Sequence, residues 1–144
     1  MYKHILIATD GSELANKAVD AGLALAKELK AKVTAVTATE PWSTMVTGDA
    51  ALAFPVEEYE KGAAENAARV LGGVSSAAKA QGVACETVRV SNFAAEGIID
   101  TAKTCGCDLI VMASHGRRGL ARMLLGSQAM RVLTLSTVPV LICR

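Results

Sequence analysis

The sequence predicts an α/β fold in which a parallel sheet of five strands lies between helices on both of its faces. Short apolar runs alternate with longer segments whose apolar residues recur every three or four positions, a spacing typical of amphipathic helices. The 144 residues are 51% hydrophobic but only 3% aromatic, so the core must consist of Ala, Val, Leu and Ile side chains. One domain over residues 1–144 is usual for a chain of this length.

The first part of the chain predicts a strand, a helix and a second strand. Residues 5–9 are a short apolar run, and the turn at 10–12 leads into an amphipathic segment for which either Asp10 or Ser12 is a suitable N-cap. Residues 33–38 form the second strand. A right-handed crossover through the helix should make this strand parallel to the first.

The middle of the chain predicts a loop and a long helix. Residues 39–54 show no periodicity, and loops that leave the carboxyl end of a strand lie over ligand sites. A helix follows over 55–81, with Gly82 suited to its C-terminal cap. The adjacent Gly72 and Gly73 interrupt this pattern, and because each interior glycine costs about 0.5–1 kcal/mol relative to alanine, the helix should be either locally kinked or closely packed there.

The last part of the chain predicts three strands and two helices. Residues 85–90 form an edge strand, Asn92 caps a helix that ends at 105–106, and 108–113 are a buried strand. Ser127 caps the last helix, and 138–142 form the final strand. If the fourth strand returns beside the first, the order is 3-2-1-4-5, and a ligand should bind at the carboxyl ends of strands one and four.

Charge and cysteine content exclude several classes of function. The formal net charge of +1, from 15 basic and 14 acidic residues, gives no field that would attract nucleic acid or an anionic membrane. The first residues form neither a signal-peptide core nor a membrane span, so we expect a cytoplasmic protein. The four cysteines include one close pair, Cys105 and Cys107, which we interpret as reduced packed thiols, with a redox or zinc role as the alternative.

The segment from the fourth strand to the last helix has the pattern of a phosphate-binding loop. Glycines let backbone N–H groups approach an anion, and the unpaired N–H groups and dipole of a helix N-terminus supply positive potential. Neither G-x-x-x-x-G-K-S/T nor G-x-G-x-x-G after a strand is present. Instead, Gly116 is followed by nine residues and then by Gly126 and Ser127.

This spacing resembles the nucleotide loop of the universal stress protein family, G-x2-G-x9-G-S/T, except that Ala113 stands at the first glycine. ILIATDGS at 5–12, DLIVMASHG at 108–116, LLGS at 124–127 and VPVLI at 138–142 also resemble motifs of that family, in the same order, so the resemblance covers the whole chain. It implies a Rossmann-like fold of the adenine nucleotide alpha hydrolase type. For the ATP-binding branch, it also implies a cytoplasmic homodimer.

The resemblance further implies a site for ATP, with Mg²⁺ or Mn²⁺. Asp10 matches an acidic residue near the ribose and the metal, Thr9 lies beside the base, and Ala38 matches a backbone position that contacts adenine. Met112 and Ala113 match the end of the fourth strand, and Gly116 matches the first glycine of the loop. The residues that match the triphosphate site are Gly126, Ser127 and Gln128. Arg117, together with Arg118 and Arg122, would suit neutralisation of the phosphates.

Each of these assignments has a structural alternative. Asp10 and Ser127 could serve only as helix caps, and the arginines could form a solvated basic face. His115 has no nucleophile and third orienting group identifiable from spacing, which favours a structural role. The methyl of Ala113 should weaken nucleotide binding by about 1–2 kcal/mol if it points towards the ligand, and should cost nothing if it points into the sheet.

Three classes of function remain. The first is a regulatory module that holds ATP, with or without slow hydrolysis, and the second is a dimeric branch of the same family that lacks nucleotide. The third is an adenylating enzyme, which would need S-G-G-x-D-S where this chain has Thr-Asp-Gly-Ser-Glu at 9–13. The sequence favours the first class. It also predicts a homodimer through 138–142, which would otherwise be an exposed apolar edge.

Overall fold

A computed structural model describes residues 1–42, 55–116 and 124–144, which form one five-stranded parallel sheet. The strands are β1 (His4–Ala8), β2 (Lys32–Thr39), β3 (Cys85–Ser91), β4 (Leu109–Ala113) and β5 (Val140–Cys143). The helices that connect them are α1 (Glu13–Leu29), α2 (Val56–Ala80), α3 (Ala94–Cys105) and α4 (Ser127–Leu135). The order β3-β2-β1-β4-β5 confirms the predicted topology, including the edge position of β3.

The sheet separates two apolar clusters. Side chains of α1 and α2 pack on one face, and those of α3 and α4 pack on the other, so the predicted helices on both faces are confirmed. The packing is close because the facing residues are small. A β-carbon on Gly22 of α1 would lie 2.7 Å from Cδ1 of Ile7 in β1, so any larger residue at that position would require the buried Ile7 side chain or the helix to shift.

Of two predictions about α2, one needs correction and one is confirmed. The helix is continuous from Val56 to Ala80, so Gly72 and Gly73 do not interrupt it. Both glycines are exposed, and burial of apolar residues on the opposite face of α2 outweighs their modest backbone cost. The predicted glycine cap is confirmed, since Gly82 follows the C-cap residue Gln81 with a φ of 71°, its N–H donates to Lys79 O, and Val83 N donates to Ala78 O.

Three predicted helix caps can be compared with the structure. Ser12 caps α1, since its hydroxyl accepts a hydrogen bond from Ala15 N at 3.2 Å. The predictions for Asn92 and Ser127 are wrong by one residue: Phe93 is the N-cap of α3 and Gly126 is the N-cap of α4. The Asn92 side chain instead accepts a hydrogen bond from the N–H of its neighbour Phe93.

The remaining boundaries follow the sequence closely. β5 begins at Val140, two residues later than predicted, because Ser136 Oγ forms hydrogen bonds with the backbone of Val138 and holds this segment in a turn. Most of the predicted loop at 39–54 lies outside the described residues. Among the helices that are described, none is both long enough and apolar enough to cross a membrane.

His4 gives the fold a predictable pH dependence. The residue is buried, and its Nε2 lies 2.7 Å from the Thr34 hydroxyl. Burial, and then the charge of Lys32, lowers its pKa below the usual 6.5, although Asp108 and Glu86 oppose the shift. The unfolded chain therefore binds the proton first as the pH falls. The stability that neutral His4 provides is complete above pH 6.5 and is lost as the pH drops towards the folded pKa.

We expect His4→Gln, which cannot titrate, to remove this part of the acid sensitivity. Urea unfolding of both proteins at about pH 7.5 and about pH 5 should show a larger loss of unfolding free energy in the parent than in the variant. His115 is present in both proteins and cancels in the comparison. Equal losses would show that His4 does not titrate differently in the folded and unfolded states.

Candidate functional site

An open cavity of about 510 Å³ lies at the carboxyl ends of β1 and β4, where the strand order reverses. Of the ten site residues predicted from the sequence, nine border this cavity, and Arg117 lies outside the described residues. Arg118 and Arg122 lie outside them as well. The nine are Thr9, Asp10, Ala38, Met112, Ala113, Gly116, Gly126, Ser127 and Gln128.

The turn after β1 presents a carboxylate to the cavity. Gly11 adopts a φ of 79°, and its N–H donates to Thr9 Oγ1 at 3.1 Å. Ser12 N donates to Asp10 Oδ1 at 2.9 Å, which fixes the orientation of that side chain. Its other oxygen faces the loop after β4, since a β-carbon on Gly116 would lie only 3.0 Å from Asp10 Oδ2. Glycine at 116 thus leaves space for the carboxylate.

Backbone hydrogen bonds hold the N-terminus of α4 against the end of β4. Ser114 N donates to Cys143 O, and Gly126 N donates to Ser114 O, both at 2.7 Å. The first hydrogen bond within α4 runs from Met130 N to Gly126 O, and the N-cap has no side-chain hydrogen bond. The amides of residues 127–129, which we call the α4 turn, therefore precede the helical ladder and lie at the edge of the cavity.

Ala113 ends β4 on the side of the sheet that faces α1. Its side chain belongs to the same apolar cluster as Leu109 and Val111, whereas Ile110 and Met112 belong to the opposite cluster. The residue is 8% exposed and also borders the cavity. Of the two orientations considered from the sequence, this arrangement favours the one in which the methyl contributes to the core.

Gln128 has a contact that the sequence did not indicate. Its carboxamide Oε1 accepts a hydrogen bond from Ala95 N, in the first turn of α3, at 3.0 Å. In the described structure, the side chain is therefore engaged with the protein, while the backbone N–H of Gln128 belongs to the α4 turn.

His115 and Ser114 form a short polar contact beside the cavity. His115 Nδ1 lies 3.0 Å from the Ser114 hydroxyl, and both residues border the cavity. His115 Nε2 is buried and has no hydrogen-bond partner in the part of the chain described. This geometry is compatible with the structural role that the sequence favours.

Apart from Ala38, the wall formed by β2 and α2 was not predicted from the sequence. The Tyr59 hydroxyl donates to Glu40 O at 2.7 Å, and the Tyr59 ring lies 5.2 Å from that of Trp42. Because helical spacing identifies only the face of α2 that packs on the sheet, it could not show which residues near the helix N-terminus reach a ligand. The additional residues on this wall are Thr37, Thr39, Glu40, Tyr59, Asn66 and Ala67.

The cysteine pair lies at the opposite end of the sheet. Burial, with Cys105 nearby, raises the pKa of Cys107 to about 11, so this thiol is protonated at neutral pH and is a poor nucleophile. The four cysteines are free. Among the described residues, no three His, Cys, Asp or Glu side chains are grouped to bind a metal ion.

Comparison with known proteins gives consistent matches over the whole chain. The sequence model of the universal stress protein family matches residues 1–144. Universal stress protein YxiE of Bacillus subtilis is 34% identical over 148 residues, which cover all of both chains.

Solved structures match at the level of the fold. UspA from Lactobacillus plantarum superposes with a TM-score of 0.88 at 22% identity, covering 99% of this chain and 98% of that one. A universal stress protein in complex with cAMP gives a TM-score of 0.75 at 26% identity, with coverage of 99% and 97%.

Proposed function

Because this chain belongs to the universal stress protein family, we propose that it is a regulatory module that binds ATP in the cavity at the ends of β1 and β4. The observation that carries the proposal is the α4 turn, whose amides precede the helical ladder and border the same cavity as Asp10. Backbone N–H groups at a helix N-terminus suit phosphate oxygens. A relative of the same fold was solved with cAMP, which supports an adenine nucleotide as the ligand.

The two ends of the cavity suit different parts of ATP. The α4 turn and Gly116 would hold the phosphates, while the apolar wall that includes Ala38 and Met112 would hold the base. Asp10 would share a Mg²⁺ or Mn²⁺ ion with phosphate oxygens, since these ions are commonly bound through one or two carboxylates and a substrate phosphate. The bound ion would offset the repulsion between the carboxylate and the triphosphate.

Calorimetric titration with ATP and MgCl₂ tests the proposal directly. We expect saturable heat and a rise in melting temperature that grows with ATP concentration. Trp42 should report binding by fluorescence, because its ring packs against Tyr59 at the cavity wall. Mass spectrometry of the nucleotide released from gently purified protein would identify the ligand independently. Neither heat nor a melting shift at millimolar ATP would favour the branch of the family that lacks nucleotide.

Ala113→Gly should separate the contribution of the Ala113 methyl to the core from its effect on ATP binding. We expect ATP affinity equal to that of the parent or a few-fold tighter, since the substitution leaves the α4 turn unchanged. The free energy of unfolding should fall by about 1–2 kcal/mol, because a buried methyl is lost and glycine is more flexible. Calorimetry and urea unfolding measure the two quantities. ATP binding several-fold weaker in a well-folded variant would show that the methyl is a fitted part of the site.

We also propose that the protein acts as a homodimer in the cytoplasm, paired through β5. The free cysteines suit a reducing compartment. β5 lies at the end of the sheet and pairs only with β4 among the described strands. Apolar surface lies near this edge, with Leu141 41%, Leu133 40% and Met130 52% exposed. A second copy of the chain would pair the open strand edge and cover part of this surface.

A further inference from the structure

The N-terminus of α3 donates a backbone hydrogen bond to a side chain of another helix. Its N-cap, Phe93, has no side chain that could accept a hydrogen bond from the first turn. Gln128 Oε1 accepts from Ala95 N at 3.0 Å, although the two residues lie 33 positions apart in the sequence. Gln128 thus serves as the missing capping group of α3 while its own backbone belongs to the α4 turn.

The contact joins two helix N-termini at the rim of the cavity. Ala94, next to Ala95, and Gln128 both border the cavity. A second contact between the helices, the ion pair of Arg131 with Glu96, lies one turn further along α4, and its side chains do not border the cavity. Of these two polar contacts, the one made by Gln128 therefore lies where the amides of α4 face the proposed ligand.

We propose that Gln128 is a positioning residue for phosphate binding, which it supports by fixing the α4 turn against α3 rather than by contacting the phosphates with its side chain. This inference rests on the proposed binding of ATP. Ordered donors bind an anion better than mobile ones, because less conformational entropy is lost on binding. Loss of the contact should therefore weaken the binding of ligands that carry phosphates. The affinity for adenosine, which has no phosphate, should not change.

Gln128→Met tests the inference, since methionine has similar length but its thioether sulfur is only a weak hydrogen-bond acceptor. Hydrogen exchange of the Ala95 amide should accelerate in the variant. The dissociation constant for ATP should rise about fivefold, the usual scale for loss of a capping contact. The dissociation constant for adenosine should not change. Arg131→Met is the matched control, because it removes the ion pair of Arg131 with Glu96 between the same two helices, and its ATP affinity should remain within about twofold of the parent.

Hydrogen exchange of the Ala95 amide in the ATP-bound parent distinguishes a positioning role of Gln128 from direct contact between its side chain and the phosphates. If Gln128 keeps its place, ATP leaves the Ala95 amide as protected as before or more so. If the side chain turns to the phosphates, ATP exposes this amide, and the inference is overturned. An unchanged ATP affinity in Gln128→Met, or an unchanged Ala95 exchange rate, also overturns it. If the parent protein binds no ATP, the proposed function is overturned, and the positioning role of Gln128 is overturned with it. This outcome does not depend on the exchange rate of the Ala95 amide.

Discussion

Gly126→Val is expected to lower ATP affinity by about 100-fold or more while the protein remains folded. The backbone at Gly126 is extended, with φ of −70° and ψ of 160°, so valine can adopt this conformation. The obstacle is space. A β-carbon at this position would lie 3.1 Å from Ser114 O and 3.3 Å from the Cα of His115. Both neighbours belong to the backbone, so the start of α4 and the end of β4 must move apart by a few tenths of an ångström.

Displacement of the helix start affects every donor of the proposed phosphate site. The hydrogen bond from Gly126 N to Ser114 O would lengthen, and the α4 turn would shift relative to Asp10. Calorimetry with ATP and MgCl₂ measures the loss of affinity, and circular dichroism checks the fold. We expect the free energy of unfolding to fall by about 1–3 kcal/mol, the usual cost of overpacking.

Gly72→Val provides the matched control. The same change of residue is made in α2, where a β-carbon on Gly72 has no heavy atom within 4 Å, and Gly72 does not border the cavity. Its ATP affinity should equal that of the parent. If Gly126→Val bound ATP as tightly as the control, the phosphates would have to lie elsewhere than on the α4 turn.

The topology could be predicted from the sequence because it depends on patterns that extend over many residues. The apolar runs of β1 and β4 are buried at every position, so each run indicates a central strand without help from its neighbours. Once these two strands are adjacent, the site follows, since the turns at Asp10 and Gly116 must meet at the same edge of the sheet.

Local details could not be predicted where tertiary contacts outweigh intrinsic preferences. Serine is a favoured capping residue, yet the backbone bond from Gly126 to Ser114 fixes the start of α4 one residue before Ser127. The capping of Ala95 by Gln128 joins residues that are distant in sequence, and no spacing rule connects them. The resemblance to a family identified Gln128 as a site residue but could not show that its side chain is directed to α3.

The second large effect concerns assembly, where Ile142→Pro is expected to convert a dimer into a monomer. Pro139 O, just before β5, accepts from Ile110 N, and Cys143 O at the end of β5 accepts from Ser114 N, so the odd-numbered residues bond to β4. Parallel strands alternate in this respect, and the N–H groups of Val140 and Ile142 must point away from β4. Proline at 142 removes one of these outward donors and leaves the hydrogen bonds to β4 in place.

Ile142→Ala is the control that isolates the backbone, since it shortens the side chain but retains the outward N–H. Light scattering should show a monomer for Ile142→Pro and a dimer for Ile142→Ala, with circular dichroism confirming that both fold. Val140→Lys, which places a charge on the same strand edge, should also give a monomer. If all three variants keep the mass of the parent, the chains do not associate through β5. A dimer of unchanged mass would then have to use another surface, such as the exposed face of α4 around Met130 and Leu133.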